Sequence, residues 1–415
     1  MTEGRRLTNW AGNYHFSAKR FHRPRTVEEV QQIVMKCRKL RVLGVGHSFN
    51  GIGDCDEDLI SLERMNRVLS IDHVRSTVTV EAGIKYSELG AYLHSRGYGL
   101  HNLAALGNVT VAGAVVTATH GSGDRNGNLA TAVSRMQIVN GRGEVIDLER
   151  DKNSYEFDGA VVSLGGLGVV TKLTLDVVPT YDIRQDVYQK LSFTAVQENL
   201  EKIFSSAYSV SLFIDWKSSD TISHLWLKSK VEPEAKSNLR EIDLSSALNC
   251  TSHRGIPRPW HERLPHNFNS EQRRGAAEYL LPRRNGVAAL QRIEALKEHL
   301  APVVWMCEVR TIAADKFWMS PFYKQDCIAI HFSLFPDWPL VSKVLPMVDQ
   351  TLKSLEARPH WGKVITMPPD RVRSMYCELP KFRLLLQSFD PEGKFRNRFL
   401  NTYIFGLGPV ATSNL

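Results

Sequence analysis

Apolar and polar side chains alternate strictly from residue 76 to 82, with Val78, Val80 and Ala82 against Thr77, Thr79 and Glu81. That is the period of a strand with one buried face. Upstream, Val30, Ile33 and Val34 recur at helical spacing behind Thr26, with Glu28 and Glu29 in the first turn. Thr26 is a capping type and the acids suit the positive end of a helix dipole, so a helix is expected there. It leads into an apolar strand over 41–45. Short strands are expected at 59–62 and 68–72, and an amphipathic helix at 87–96 that stops at Gly97. The runs 132–139 and 145–148 read as a hairpin around a turn with Gly141 and Gly143. A helix is expected over 154–162. Residues 163–178 are glycine-rich, then strand-like, and end at Pro179. Beyond Pro179, long strand patterns (181–191, 208–216, 221–230) alternate with helical ones (194–204, 286–299), and 341–355 reads as a further helix. This is the pattern of an antiparallel sheet with helices on one face, so the fold class is α+β. Residues 232–275 are polar and proline-rich, yet Trp260 and Phe268 ask for packing, so an ordered excursion is expected.

A chain of 415 residues exceeds one ordinary core, so two domains are expected. The formal net charge is +8, but its cations are interleaved with acids, without blocks of like charge. That is a solvated surface with a locally positive site, and nucleic acid is not an expected partner. The six cysteines include no Cys-x-x-Cys spacing, so no metal is expected. Cys307 and Cys327 lie in apolar runs and read as core. There is no apolar leader and no apolar run of membrane length, so a cytoplasmic protein without a membrane partner is expected, and a monomer.

Two stretches carry chemistry of another kind. In 41–50 an apolar run ends at Gly44, Val45, Gly46 and His47, followed by Ser48, Phe49 and Asn50. Glycines here let backbone approach a planar or anionic ligand. On residue types alone, a strand ending in a glycine turn fits equally. From 102 to 123 almost every residue is Ala, Gly, Thr, Val or Asn, too lean for an ordinary core element. Such a run suits backbone wrapped around an extended ligand, its N–H groups facing phosphates. It matches neither the dinucleotide fingerprint nor a P-loop.

Together these stretches resemble the FAD domain of vanillyl-alcohol-oxidase type flavoproteins, and within them the sugar-alcohol oxidases. More distantly, the chain is similar to aldonolactone oxidoreductases. Matching segments run nearly end to end: 8–13, 42–50, 102–123, 259–266, 278–283, 308–315, 358–363 and 390–397. The resemblance implies a two-domain fold, with an FAD domain over 1–180 completed by 380–415 and a substrate domain over 181–379. It implies FAD carried covalently by His47. It places Gly44, Val45, Gly46, Ser48, Phe49, Asn50, Ala104, Ala105, Asn108, Val109, Gly113, Thr117, Thr119, His120, Gly121, Gly168 and Val170 around that cofactor.

In the second half, polar residues stand inside apolar runs expected to be strands. Glu308 and Arg310 are two apart in 303–312, as are His331 and Ser333 in 327–335, so each pair shares a sheet face. Lys363 is a single cation in 360–365. Burying such groups is costly unless they pair or serve a ligand. A solvated Glu308–Arg310 pair is the structural alternative. The resemblance implies that Glu308, Arg310, Ser333 and Lys363 bind polyol hydroxyls. His331 suits a general base, since histidine titrates near neutrality. Two departures stand out: Ala105 replaces a family serine beside the flavin, and Gly107-Asn108 replaces Pro-His. Ala104 matches the small residue that the family associates with O2 access. The implied activity is oxidation of a terminal polyol hydroxyl with O2 reduced to H2O2; a sugar lactone substrate or a different electron acceptor are the rival readings.

Overall fold

The computed structural model describes residues 7–217, 221–231, 249–250, 256–266 and 273–408. The chain forms an α+β fold of two domains around three main sheets. The first is a three-stranded parallel sheet, ordered Arg20–His22, Asp58–Ile60, Leu40–Val42. The second is a five-stranded antiparallel sheet, ordered Val68–Asp72, Thr77–Glu81, Val169–Asp176, Val133–Val139, Val145–Glu149. As the alternation requires, Val78 and Val80 are fully buried on the 77–81 strand. The helix Val27–Lys36 begins where expected, with the Thr26 hydroxyl accepting from the Glu29 N–H at 3.2 Å.

The third sheet is antiparallel and has nine strands. Its central order is Asp182–Ser192, Thr221–Lys230, Ser209–Ile214, Val304–Ile312, Cys327–Leu334, Gly275–Pro282. The 209–214 and 275–282 strands are buried on both faces, because helices cover one side and the first domain covers the other. Within this half the expected helix over 194–204 is two, Phe193–Glu198 and Leu200–Phe204, which meet at Asn199. In the expected excursion, Trp260 is fully buried in the helix Trp260–Arg263. Phe268 and much of 232–275 lie outside the described residues.

Three local expectations are corrected. The strand leading to His47 ends at Val42 rather than running to Val45. Leu43 still donates to Ile60 at 2.9 Å, but Gly46 then turns the chain with φ +72°, leaving the sheet. The lean run is not all loop: Val111–Val116 is a helix, packed through Val111, Ala114 and Val115. Its small residues allow close approach; a Cβ on Gly113 would stand 2.8 Å from the Thr110 Oγ1. Lys363 sits on a turn, not a strand, its N–H donating to the His360 carbonyl at 3.1 Å.

Backbone links draw the two halves together at one place. Gly123 donates to Thr311 at 2.8 Å and Phe49 to Gly362 at 2.9 Å. The Asn50 amide donates to the Trp361 and Lys363 carbonyls at 2.9 and 2.6 Å. The C-terminal segment returns to the first domain: Leu40 donates to Lys394 at 3.0 Å, and the Asn397 amide to Gly51 and Asp54 at 3.0 and 2.9 Å. Fully buried Arg41 ties strand, glycine loop and C-terminal segment, donating to Leu164, Gly165 and Phe395 at 2.7, 2.7 and 2.9 Å.

Candidate active site

Where the halves meet lies a cavity of about 520 Å3. One wall is the loop 43–50 with Ala104, Ala105, Val109, Gly113, Thr117, Thr119, His120, Gly168 and Val170. The opposite wall carries Glu308, Arg310, His331, Ser333 and Lys363 from the large sheet and its following turn. Two expected cofactor contacts are not on this wall. Asn108 faces outward and accepts from the Ser87 hydroxyl at 3.2 Å, because the 106–108 loop is at the surface. Gly121 is packed against Leu103, whose carbonyl would lie 2.3 Å from any Cβ there.

The first wall is built to receive an anion and a ring. Among the described residues, the N–H groups of Gly44, Val45, Gly46, His47 and Ser48 donate to no protein acceptor. Successive unpaired N–H groups form an anion-binding concavity. His47 is half-buried, its Nδ1 is buried and lacks a partner, and desolvation, then nearby Lys363, push its pKa down to about 4. A neutral, unpartnered imidazole nitrogen on a cavity wall is poised for a bond to a ligand.

On the second wall the pleat sets a row. Phe213, Glu308, His331 and Glu278 are register partners across four adjacent strands. Neighbours in register on one face stand about 5 Å apart, so these groups must interact. Arg310 donates to the Glu278 Oε1 at 2.5 Å, and its Nε lies 3.6 Å from the Glu308 Oε1. Glu308 and Arg310 are 6% and 5% exposed, which rules out a solvated pair. Glu278 also faces His120 Nε2 at 3.3 Å and His331 Nδ1 at 3.7 Å. The cations around Glu278 and Glu308 outweigh burial and hold both carboxyls well below the usual range. Burial, then Lys363, lowers the His331 pKa, so its imidazole is neutral at pH 7. His331 Nε2 points to the Ser333 hydroxyl, 3.5 Å away. The Lys363 ammonium is pushed down by burial and lies over the Phe49 ring at 5.0 Å, joining the two walls.

Four residues of this network were not singled out from sequence: Glu278, His266, Lys228 and His360. Glu278 had the same signal as Lys363, a lone charge in an apolar run. His266 donates from Nε2 to Glu308 Oε1 at 2.6 Å, and Lys228 reaches His266 Nδ1 at 3.2 Å. No spacing in the sequence links these positions. His120, Glu278 and His360 form a buried cluster with metal-like geometry. The guanidinium of Arg310 already occupies Glu278 Oε1, the oxygen that His120 also faces.

The chain belongs to the vanillyl-alcohol-oxidase type of FAD-dependent oxidoreductases acting on CH–OH donors. Its residues 18–149 match the model of an FAD binding domain, and 266–403 match that of D-arabinono-1,4-lactone oxidase. It is 38% identical to the alditol oxidase of a Streptomyces species, over 96% of this chain and 99% of that protein. It is 28% identical to L-gulono-1,4-lactone dehydrogenase of Mycobacterium tuberculosis, over 94% and 97%. In fold it is similar to the crystal structure of cholesterol oxidase from B. sterolicum, with a TM-score of 0.81 at 15% identity over 96% of both chains. Among the described residues no helix is long and apolar enough to cross a membrane.

Proposed function

We propose that the protein oxidises the terminal hydroxyl of an open-chain alditol such as xylitol or sorbitol, by R–CH2OH + O2 → R–CHO + H2O2. The observation that carries this reading is the cavity between the halves, with an anion-receiving loop on one wall and a set of polar side chains on the other. The loop 44–50, the lean 104–120 run and Gly168 with Val170 would hold FAD. His47 is the residue proposed to bond it covalently; its unpartnered Nδ1 supports that. Bound FAD supplies the two-electron acceptor for the carbinol hydride.

The chain's own groups do the rest. His331, neutral at pH 7, takes the hydroxyl proton at Nε2, while its Nδ1 faces Glu278. Lys363 and Arg310 hold the alcohol oxygen as its proton leaves. Glu308, kept ionised, accepts hydrogen bonds from chain hydroxyls, and Ser333 adds another partner. Ala105 offers no such bond, and small Ala104 leaves room for O2 on the flavin side. FAD domain 1–180 with 380–415, substrate domain 181–379 and a cytoplasmic monomer complete the proposal.

A cyclic lactone substrate is the second reading, favoured by the lactone-oxidase match of 266–403. Steady-state rates on xylitol, sorbitol and L-gulono-1,4-lactone separate the two; a clear lactone preference overturns the alditol reading. The H2O2 yield per turnover tests O2 as acceptor. An absorbance spectrum before and after acid precipitation tests the flavin bond. Yellow colour is expected in the pellet, and His47→Ala should release it; colour in the wild-type supernatant overturns the His47 assignment.

A further inference from the structure

Beside Glu308, two titratable side chains lie in series that the chemistry above does not use. His266 borders the cavity, and Lys228 stands behind it, 1% exposed on the Thr221–Lys230 strand. The Lys228 Nζ donates to the Leu264 carbonyl at 2.7 Å and faces His266 Nδ1 at 3.2 Å. An ionised carboxylate only accepts, so the imidazole proton sits on Nε2, facing Glu308, and Nδ1 is left to accept from Lys228. That proton points at Glu308 Oε1, 2.6 Å away. Arg310 Nε faces the same oxygen at 3.6 Å. One carboxylate oxygen is thereby occupied, and the other remains for a ligand. The backbone N–H of His266 meanwhile donates to the Ala105 carbonyl at 3.0 Å. The same residue thus fixes Glu308 on one wall and the Ala105 loop on the other.

We propose that Lys228 and His266 are positioning residues of the oxidation: they lock the tautomer and placement that hold Glu308 by Oε1 and present Oε2 to the substrate hydroxyls. The inference rests on the proposed role of Glu308 as a substrate contact. A purely structural role does not call for this chain of groups, since a buried lysine is costly and apolar residues fill such volume at least as well.

The test compares His266→Leu, His266→Gln and Lys228→Met in steady-state kinetics of the flavin-loaded enzyme on xylitol. Glu308 binds substrate alike before and during reaction, so its misplacement falls on KM. His266→Leu is expected to raise KM about tenfold or more, with kcat within about threefold, as for a lost bond to a charged group. Gln places an amide N–H near the Nε2 position, so His266→Gln should recover most of the loss. Lys228→Met should raise KM in the same direction. Unchanged KM in both His266→Leu and Lys228→Met overturns the proposal. So does a His266→Gln variant no better than His266→Leu, since packing alone then explains the loss. If His266→Leu does not fold, the other two variants decide by the same criteria. If wild type turns over only L-gulono-1,4-lactone, the alditol reading falls and the same KM ratios on the lactone decide the dyad. Turnover of neither substrate overturns both.

Discussion

Replacing Glu278 by Gln keeps the side-chain volume and removes one negative charge that Arg310, His120 and His331 all face, at 2.5, 3.3 and 3.7 Å. Glu278 is 2% exposed and Arg310 5%, so water cannot stand in for the lost partner. Breaking a buried ion pair by removing one member costs roughly 3–5 kcal/mol. Here Glu308 still faces Arg310 at 3.6 Å, and the Gln carbonyl still accepts one bond. Both offset part of the loss, so a destabilisation of about 2–3 kcal/mol is expected, read from the urea midpoint of the flavin-loaded protein. The charge change has a second, independent readout. Glu278 raises the His331 pKa against the lowering by burial and Lys363. Without that anion the imidazole loses its proton more readily. The acid limb of kcat/KM, which reports the base, should therefore move to lower pH. An unchanged midpoint would refute the buried-pair argument. An acid limb that stays in place, or moves up, would refute His331 as the base held against Glu278.

Two further outcomes follow from single residues. Ala105→Ser places a hydroxyl on the cavity wall, and a new hydrogen bond of about 0.5–1.5 kcal/mol should raise kcat/KM for xylitol roughly 2- to 12-fold; no change would mean that this wall does not meet the substrate. Asp58, fully buried, is held by Arg20 at 2.6 Å and His22 at 2.7 Å, which bring its pKa down to about 2 against a desolvation that opposes them. A depressed carboxyl stabilises the fold above its unfolded pKa near 4 and loses that stabilisation as pH falls through about 2. Asp58→Asn should thus cost about 2 kcal/mol at pH 7, with the difference from wild type closing between pH 4 and 2 in urea titrations.

Strands with one wet face were legible because their period is two and nothing competes with it. The 77–81 strand and the 133–139/145–149 hairpin stand where alternation and turn glycines put them. Glu308 with Arg310, and His331 with Ser333, were legible for the same reason: two residues apart in a strand means one face. The helix Val111–Val116 was not, because a run of Val, Ala and Gly buried among neighbours has no polar face to mark a helical period. Lys363 was expected on a strand because Trp361, Val364 and Ile365 are apolar; they are buried, but around a turn that Gly362 closes against Ser48 and His360. Lys228 and His266 are 38 positions apart and touch only through tertiary packing, so no local pattern carries them.

The row Phe213, Glu308, His331, Glu278 bears on why this sheet is built as it is. An antiparallel sheet stacks register partners whether or not their chemistry agrees, and here it stacks two carboxylates on either side of one imidazole. For stability alone that is a poor arrangement: each buried ion costs several kcal/mol to desolvate, and apolar residues of similar volume hold a core as well or better. The compensating partners come from outside the row. Arg310 lies two residues from Glu308 on the same strand, His120 arrives from the lean run, and Lys363 from the turn at 360–363. Each arrives from the side that faces the cavity. Charges balanced across a cavity wall rather than within a core leave donors and acceptors directed at whatever fills the space. A polyol, with a hydroxyl on every carbon, is a ligand that such a wall can satisfy along its whole length.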